Sequence, residues 1–168
     1  IEIETRREPV GVVAVISPWN FPMATAVWKI APALAFGNAV IFKPANLVPA
    51  SAWALTEIIA RQSALPPGTF NLLMGSGGTV GDHLINSDQI HAVTFTGSLP
   101  VGRQVATATA ANLVKCQLEM GSKNALIVAA DADLEVAVNA AFAGAYSGTG
   151  QKCTASSRLI VDDSVHDA

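Results

Sequence analysis

Cysteine and charge are both scarce in this sequence, and long apolar runs are absent. Cys116 and Cys153 are the only cysteines in 168 residues. Two are too few for a disulfide scaffold and fit a reducing compartment, so we expect a cytoplasmic protein. Only 14% of the residues are charged, with 10 Lys and Arg against 13 Asp and Glu and a net charge of −3. The basic residues are scattered, which excludes a broad basic face and with it nucleic acid as a partner. Hydrophobic residues reach 51%, yet Val10–Ile16, Ala39–Phe42 and Ala125–Ala130 are short and interrupted. None approaches the roughly 20 residues that span a bilayer, so no membrane partner is expected. High apolarity without spans suits a parallel sheet covered by helices on both faces. No G-x-G-x-x-G fingerprint and no G-x-S-x-G elbow occur. His83, His91 and His166 form no zinc spacing with the cysteines, so no metal is expected. The charged residues that open the chain, three Glu and two Arg before Pro9, are no positive n-region leading into an apolar h-region, so no signal peptide is expected. It starts at Ile1 and reads as a segment of something longer.

What is present alternates. Val10–Ile16 is rich in β-branched residues and stops at Ser17-Pro18, as a buried strand does. Pro22 to Ala35 has helical spacing and ends at Gly37-Asn38. Ala39–Lys43 is a strand cut by Pro44; Pro49–Ala64 is a helix with proline at its start and Pro66-Pro67-Gly68 beyond its end. Phe70–Met74 reads as a strand, Gly75–Gly78 as a turn and Thr79–Asn86 as a short helix. Ala92–Phe95 is a strand and Ser98–Ala111 a helix. Leu113–Met120 and Asn124–Val128 are strands, Asp133–Tyr146 is a helix capped by Asp131 or Asp133, and Arg158–Val161 is a strand. Strands alternating with helices over short connections argue a doubly wound α/β fold.

Two segments carry chemistry. In Gly150-Gln151-Lys152-Cys153-Thr154, a cysteine follows a lysine in a glycine-rich loop, where positive charge favours the attacking thiolate. In Leu118-Glu119-Met120-Gly121, a glutamate enters a glycine turn as a candidate base. A lone cysteine is more often a small buried hydrophobe, and Cys116, mid-strand among apolar neighbours, reads as one. Lys43 ends a strand at the carboxyl edge of the sheet, where ligands bind in open α/β folds. Gly97-Ser98-Leu99-Pro100-Val101-Gly102 follows a strand and opens a helix. There Gly97 permits the turn, Ser98 can cap, and Gly102 allows close packing. Gly75-Ser76-Gly77-Gly78 reads as turn punctuation.

With Pro18-Trp19-Asn20-Phe21-Pro22 and Phe95-Thr96-Gly97-Ser98 in the same order, the chain resembles the NAD(P)-dependent aldehyde dehydrogenase superfamily from about Glu8 to Val161. The resemblance implies a Rossmann-like cofactor domain over residues 1–120 and the start of a catalytic domain over 121–168. It implies that Cys153 is the nucleophile. Asn20 and the Cys153 backbone N–H are the oxyanion donors, and Glu119 is the base for thioester hydrolysis, thiol activation or both. It places Ile16, Ser17, Pro18, Trp19, Lys43, Ala45, Asn46, Gly97, Ser98, Gly102 and Gly121 at the NAD or NADP site. Lys123 and Asn124 resemble residues that shape the catalytic loop. Many NAD-preferring members carry glutamate where this chain has Asn46, and a neutral amide removes a repulsion toward a 2′-phosphate, so NADP acceptance is expected.

Val27-Trp28-Lys29-Ile30, Lys43–Pro49 and Cys153–Ser157 look most like the 2,5-dioxovalerate (α-ketoglutaric semialdehyde) group. The implied reaction is oxidation of an aldehyde to a carboxylate through a cysteine thiohemiacetal and thioester. The alternatives are a coenzyme-A-acylating semialdehyde dehydrogenase, against which Glu119 argues, and a catalytically silent relative. The parent is expected to be a dimer or tetramer of identical chains, and the isolated 168 residues to fold poorly and lack turnover.

Overall fold

The computed structural model describes residues 2–62 and 64–167, and the chain divides after Glu119 into two compact units. The first is built on five strands: β1 (Val12–Ile16), β2 (Ala39–Lys43), β3 (Phe70–Leu72), β4 (Ala92–Gly97) and β5 (Lys115–Met120). They lie in the order β3-β2-β1-β4-β5. β1 pairs in parallel with both β2 and β4, and β2 with β3. The chain winds outward from β1 to β3 and then returns to the other side of β1. This reversal is the doubly wound switch point, beside which ligands bind at the strands' carboxyl ends. The register Ile16↔Lys43 and Ile16↔Phe95 sets those three residues side by side there.

The connecting helices are α1 (Ala24–Ala35), α2 (Pro49–Gln62), the short α3 (Asp82–Asn86) and α4 (Leu99–Ala111). α1 buries Thr25, Ala26, Lys29 and Ile30, one face at helical spacing. It ends where the Gly37 and Asn38 N–H groups return to the Leu34 and Ala33 carbonyls. Val13, Val15, Val40 and Phe42 of the sheet pack with Ala26, Ile30, Ala52 and Leu55 of α1 and α2. Each Val, Ile, Leu or Phe among them contributes about 1.5–3 kcal/mol by leaving water. Leu84, Ile85, Val93, Phe95 and Val105 are buried as well, where α4 packs with β4 and with α3.

The second unit holds β6 (Ala125–Val128) and β7 (Arg158–Val161), parallel to each other, with α5 (Leu134–Tyr146) between them in sequence. Asp133 caps α5, its carboxylate accepting from the Val136 N–H at 3.2 Å. No described residue of α5 is buried. Among the described residues, no helix is long and apolar enough to cross a membrane.

Several local expectations change. β1 begins at Val12, after Gly11 with its φ of 120°, and α1 begins at Ala24, two residues past Pro22. The Pro49–Ala64 helix ends at Gln62; Ser63 lies outside the described residues. β3 is only Phe70–Leu72. The expected helix from Thr79 is a π-type turn, Gly77–Gly81, running into α3. Leu113 is no strand residue: with φ of 55° it closes α4, its N–H bonding to the Ala110 carbonyl. β6 starts at Ala125. Cys116 is exposed rather than in the core, because β5 is the last strand of its sheet.

Candidate active site

At the carboxyl edge of the first unit's sheet, a cavity of about 280 Å³ is lined by residues that include Ile16, Lys43, Gly77, Gly81, Phe95 and Gln104. Lys43 ends β2 yet is only 5% exposed. Burial pulls its pKa below the ordinary lysine value. Its ammonium donates to the Pro44 carbonyl at 3.0 Å, one bond for three donors. Next to Ile16, Ser17 is buried and its N–H donates to the Lys43 carbonyl at 3.2 Å. Its hydroxyl is buried without a hydrogen-bond partner. Buried polar groups are normally satisfied, so a hydroxyl and an ammonium short of partners mark a place that a polar ligand completes. Asp82 adds a carboxylate to the lining.

The glycines expected there are arranged differently from the sequence reading. Gly97 ends β4 and makes no turn. A Cβ on it would lie 2.5 Å from the Phe95 ring, so close approach is what requires glycine. Ser98 holds the N-cap position of α4 without a side-chain cap bond. Gly102 is buried within α4, and that helix meets the cavity through Val101, Gln104 and Val105. The turn glycines Gly77 and Gly78 do line it, a role that the sequence reading gave to Gly97 and Ser98. After β2, Ala45 is half-buried and Asn46 exposed; Pro18 and Asn20 are half-buried, and Trp19 and Gly121 exposed.

Glu119 sits on β5 at the end of a polar chain. The Lys29 ammonium donates to the Gln117 side-chain carbonyl at 2.9 Å and to the Thr94 hydroxyl at 3.0 Å. The Thr94 hydroxyl donates to the same Gln117 oxygen. The Gln117 amide in turn donates to Glu119 Oε1 at 2.9 Å. Lys29 is 8% exposed; burial lowers its pKa, and the Glu119 charge acts in the opposite sense. The sequence reading passed over Lys29, Thr94 and Gln117. A lone charge among the apolar residues of α1, on its buried face, was the available signal. Gln117 two residues before Glu119, on the same face of a strand, was another.

Cys153 is exposed, in the second unit, after a 3-10 turn at Ser147–Gly150. Gly148, Thr149 and Gly150 take φ values of 63°, 58° and 69°, three successive left-handed residues. At Gly150 a Cβ would also come within 2.9 Å of the Ala145 carbonyl oxygen. The Lys152 ammonium, which could have faced the thiol, bonds to the Ser147 hydroxyl. Asn124 ties the loop from below. Its side-chain amide donates to the Cys153 and Ala155 carbonyls at 2.7 and 3.1 Å. Its own carbonyl accepts from the Ser157 and Arg158 N–H groups. The peptide that follows Cys153 is thereby fixed. Of the three residues expected to do the chemistry, Asn20 and Glu119 belong to the first unit and Cys153 to the second. Among the described residues, no cluster of His, Cys, Asp and Glu could hold a metal.

The chain matches the model of the aldehyde dehydrogenase family over residues 1–168. It is 51% identical to alpha-ketoglutaric semialdehyde dehydrogenase of Bacillus subtilis (strain 168), over 97% of this chain and 33% of that protein. It is 46% identical to 2,5-dioxopentanoate dehydrogenase of Saccharolobus solfataricus, over 98% and 34%. The fold matches betaine aldehyde dehydrogenase from Staphylococcus aureus, solved in complex with NAD+. The TM-score is 0.92 and the identity 41%, over 95% of this chain and 32% of that one. The chain spans about a third of the length of the curated relatives it matches.

Proposed function

Because the chain belongs to the aldehyde dehydrogenase family, we propose that its whole protein oxidises an aldehyde to a carboxylate with NAD or NADP. The observation that carries the chemistry is Cys153, exposed on a loop that Asn124 pins and three left-handed residues shape. The Cys153 thiolate attacks the aldehyde carbon and forms a C–S bond. The resulting tetrahedral oxyanion is met by the Asn20 amide and the Cys153 backbone N–H. Each such donor is typically worth about 2.7–4 kcal/mol of barrier. NAD(P), which Lys43 and Ser17 of the first unit would hold, would supply the acceptor for the hydride that this carbon loses as the thioester forms on Cys153. Glu119 then takes a proton from water, the water oxygen attacks the thioester carbon, and the C–S bond breaks to give acid and thiolate.

The first unit holds the dinucleotide in this reading. Its cavity, with the buried Lys43 ammonium and the unpartnered Ser17 hydroxyl, has the donors that ribose hydroxyls or phosphate need. Residues 1–120 are then the cofactor domain and 121–168 the start of the catalytic one. Asn46, exposed beside this edge, leaves room for a 2′-phosphate without charge repulsion. In Asn46→Glu the NADP/NAD ratio of kcat/KM falls about tenfold, and an unchanged ratio removes that argument. Ile16, Pro18, Trp19, Ala45, Gly97, Ser98, Gly102 and Gly121 complete the proposed cofactor set. The substrate is an acid semialdehyde such as 2,5-dioxovalerate, in keeping with the two relatives named for that chemistry. The protein works in the cytoplasm as a homodimer or homotetramer.

The test is reduced-cofactor formation by the whole protein with 2,5-dioxovalerate and with a neutral aldehyde of similar length, each with NAD and NADP. Turnover that Cys153→Ala abolishes supports the reaction. No turnover in any combination by the folded protein overturns it, and equal kcat/KM for the two aldehydes removes the acid semialdehyde alone.

A further inference from the structure

We propose that Gln117 is the positioning residue of the Glu119 carboxylate, which its side-chain amide aims from one side and separates from the Lys29 ammonium. The inference rests on Glu119 acting as the base. The orientation of the amide follows from its neighbours. A lysine ammonium has donors only, so the Gln117 oxygen must face Lys29, which it meets at 2.9 Å. The Thr94 hydroxyl donates to the same oxygen. With the oxygen doubly engaged, the amide N–H group is turned away from both and reaches Glu119 Oε1 at 2.9 Å. Residues 117 and 119, two apart on β5, stand on one face of the strand.

The arrangement answers a specific need. A carboxylate base in direct contact with an ammonium is held, but its basicity is spent on the ion pair. Interposing a neutral amide keeps the Glu119 carboxylate in one position with a single N–H and leaves Oε2 free to take a proton. The amide itself carries no proton between Lys29 and Glu119. Glu119 is exposed in this chain, so without that bond its side chain moves freely among rotamers. Lys29 comes from α1, Lys115 stands on the same face of β5 two residues before Gln117, and β4 brings the neutral Thr94.

Two variants of the whole protein test this, read as the pH dependence of the cofactor-reduction burst and of steady-state turnover. Gln117→Glu keeps an oxygen for Lys29 and Thr94 but sets a carboxylate against Glu119. The acid limb of the step that Glu119 serves should rise by about one pH unit. Gln117→Leu removes the contact and should slow that step about tenfold at unchanged KM. Should Gln117→Leu fail to fold, the near-isosteric Gln117→Glu still decides. An acid limb in Gln117→Glu that superimposes on the parent's overturns the inference and leaves the proposed function standing. If the unaltered protein shows neither burst nor turnover with any aldehyde, the proposed function falls and this inference falls with it.

Discussion

The two units solve the same problem, holding a reactive side chain still, by different means. The first buries its sheet between helices, so that Val15, Val40 and Phe42 have no exposure at all. Its functional candidates, Lys43 and Lys29, are fixed by that packing. Within this chain, which spans about a third of its relatives' length, the second has two strands, a helix with no buried residue, and exposed Phe142, Tyr146, Ile127 and Leu159. There the loop of Cys153 is held by hydrogen bonds to Asn124 and by three left-handed residues. A packed core positions by excluding alternatives at every contact. A hydrogen-bonded loop positions at a few named atoms and depends on them.

The largest effect that separates the units should come from Cys153→Ala. In the whole protein it should cut turnover by about 10⁴-fold or more. The dissociation constants for NAD and NADP should stay within about twofold, because the cavity around Lys43 belongs to the first unit. A tenfold loss of dinucleotide affinity would break the separation. Next in size, Phe42→Ala in the whole protein should cost the first unit about 3–5 kcal/mol in urea unfolding. Phe142 is 69% exposed within this chain, and Phe142→Ala should cost less stability than Phe42→Ala does. Equal costs would mean that the second unit has a core of its own. A smaller contrast should appear in hydrogen exchange of the whole protein. Amides of β1, β2 and β4 should exchange at least about 100-fold more slowly than those of α5, whose opening exposes little new apolar surface.

The first unit was the more legible in the sequence, for the same reason that it is the better packed. Buried parallel strands are written as short apolar runs between prolines and glycines, and these marked β1, β2 and β4 closely. Contacts at long range were not written that way. Lys29 read as part of an apolar helix, since only the fold shows that its face is buried and that Thr94 and Gln117 await it. Gly77 and Gly78 read as punctuation until the chain brought them beside Lys43. Gly97 read as a turn because the requirement comes from the Phe95 ring, two residues back and beneath it. In the second unit Cys153 stood out by its loop, whereas Cys116 misled, because nothing local says that β5 ends its sheet.

The smallest effect concerns the lysines of the first unit and sharpens what its burial means. Lys29 and Lys43 both have pKa values lowered by burial. Between each lowered value and the ordinary one near 10.4, the unfolded chain binds more protons than the folded one. Stability must therefore rise with pH across that interval, and below it the cost of the buried charges is constant. Urea midpoints of the whole protein should climb as pH rises toward about 10.4. Lys29→Met should remove one part of the slope and Lys43→Met the other. If Lys29→Met leaves the slope intact, Lys29 is solvated in solution, and the ammonium that orients Gln117 is not the buried one the structure describes.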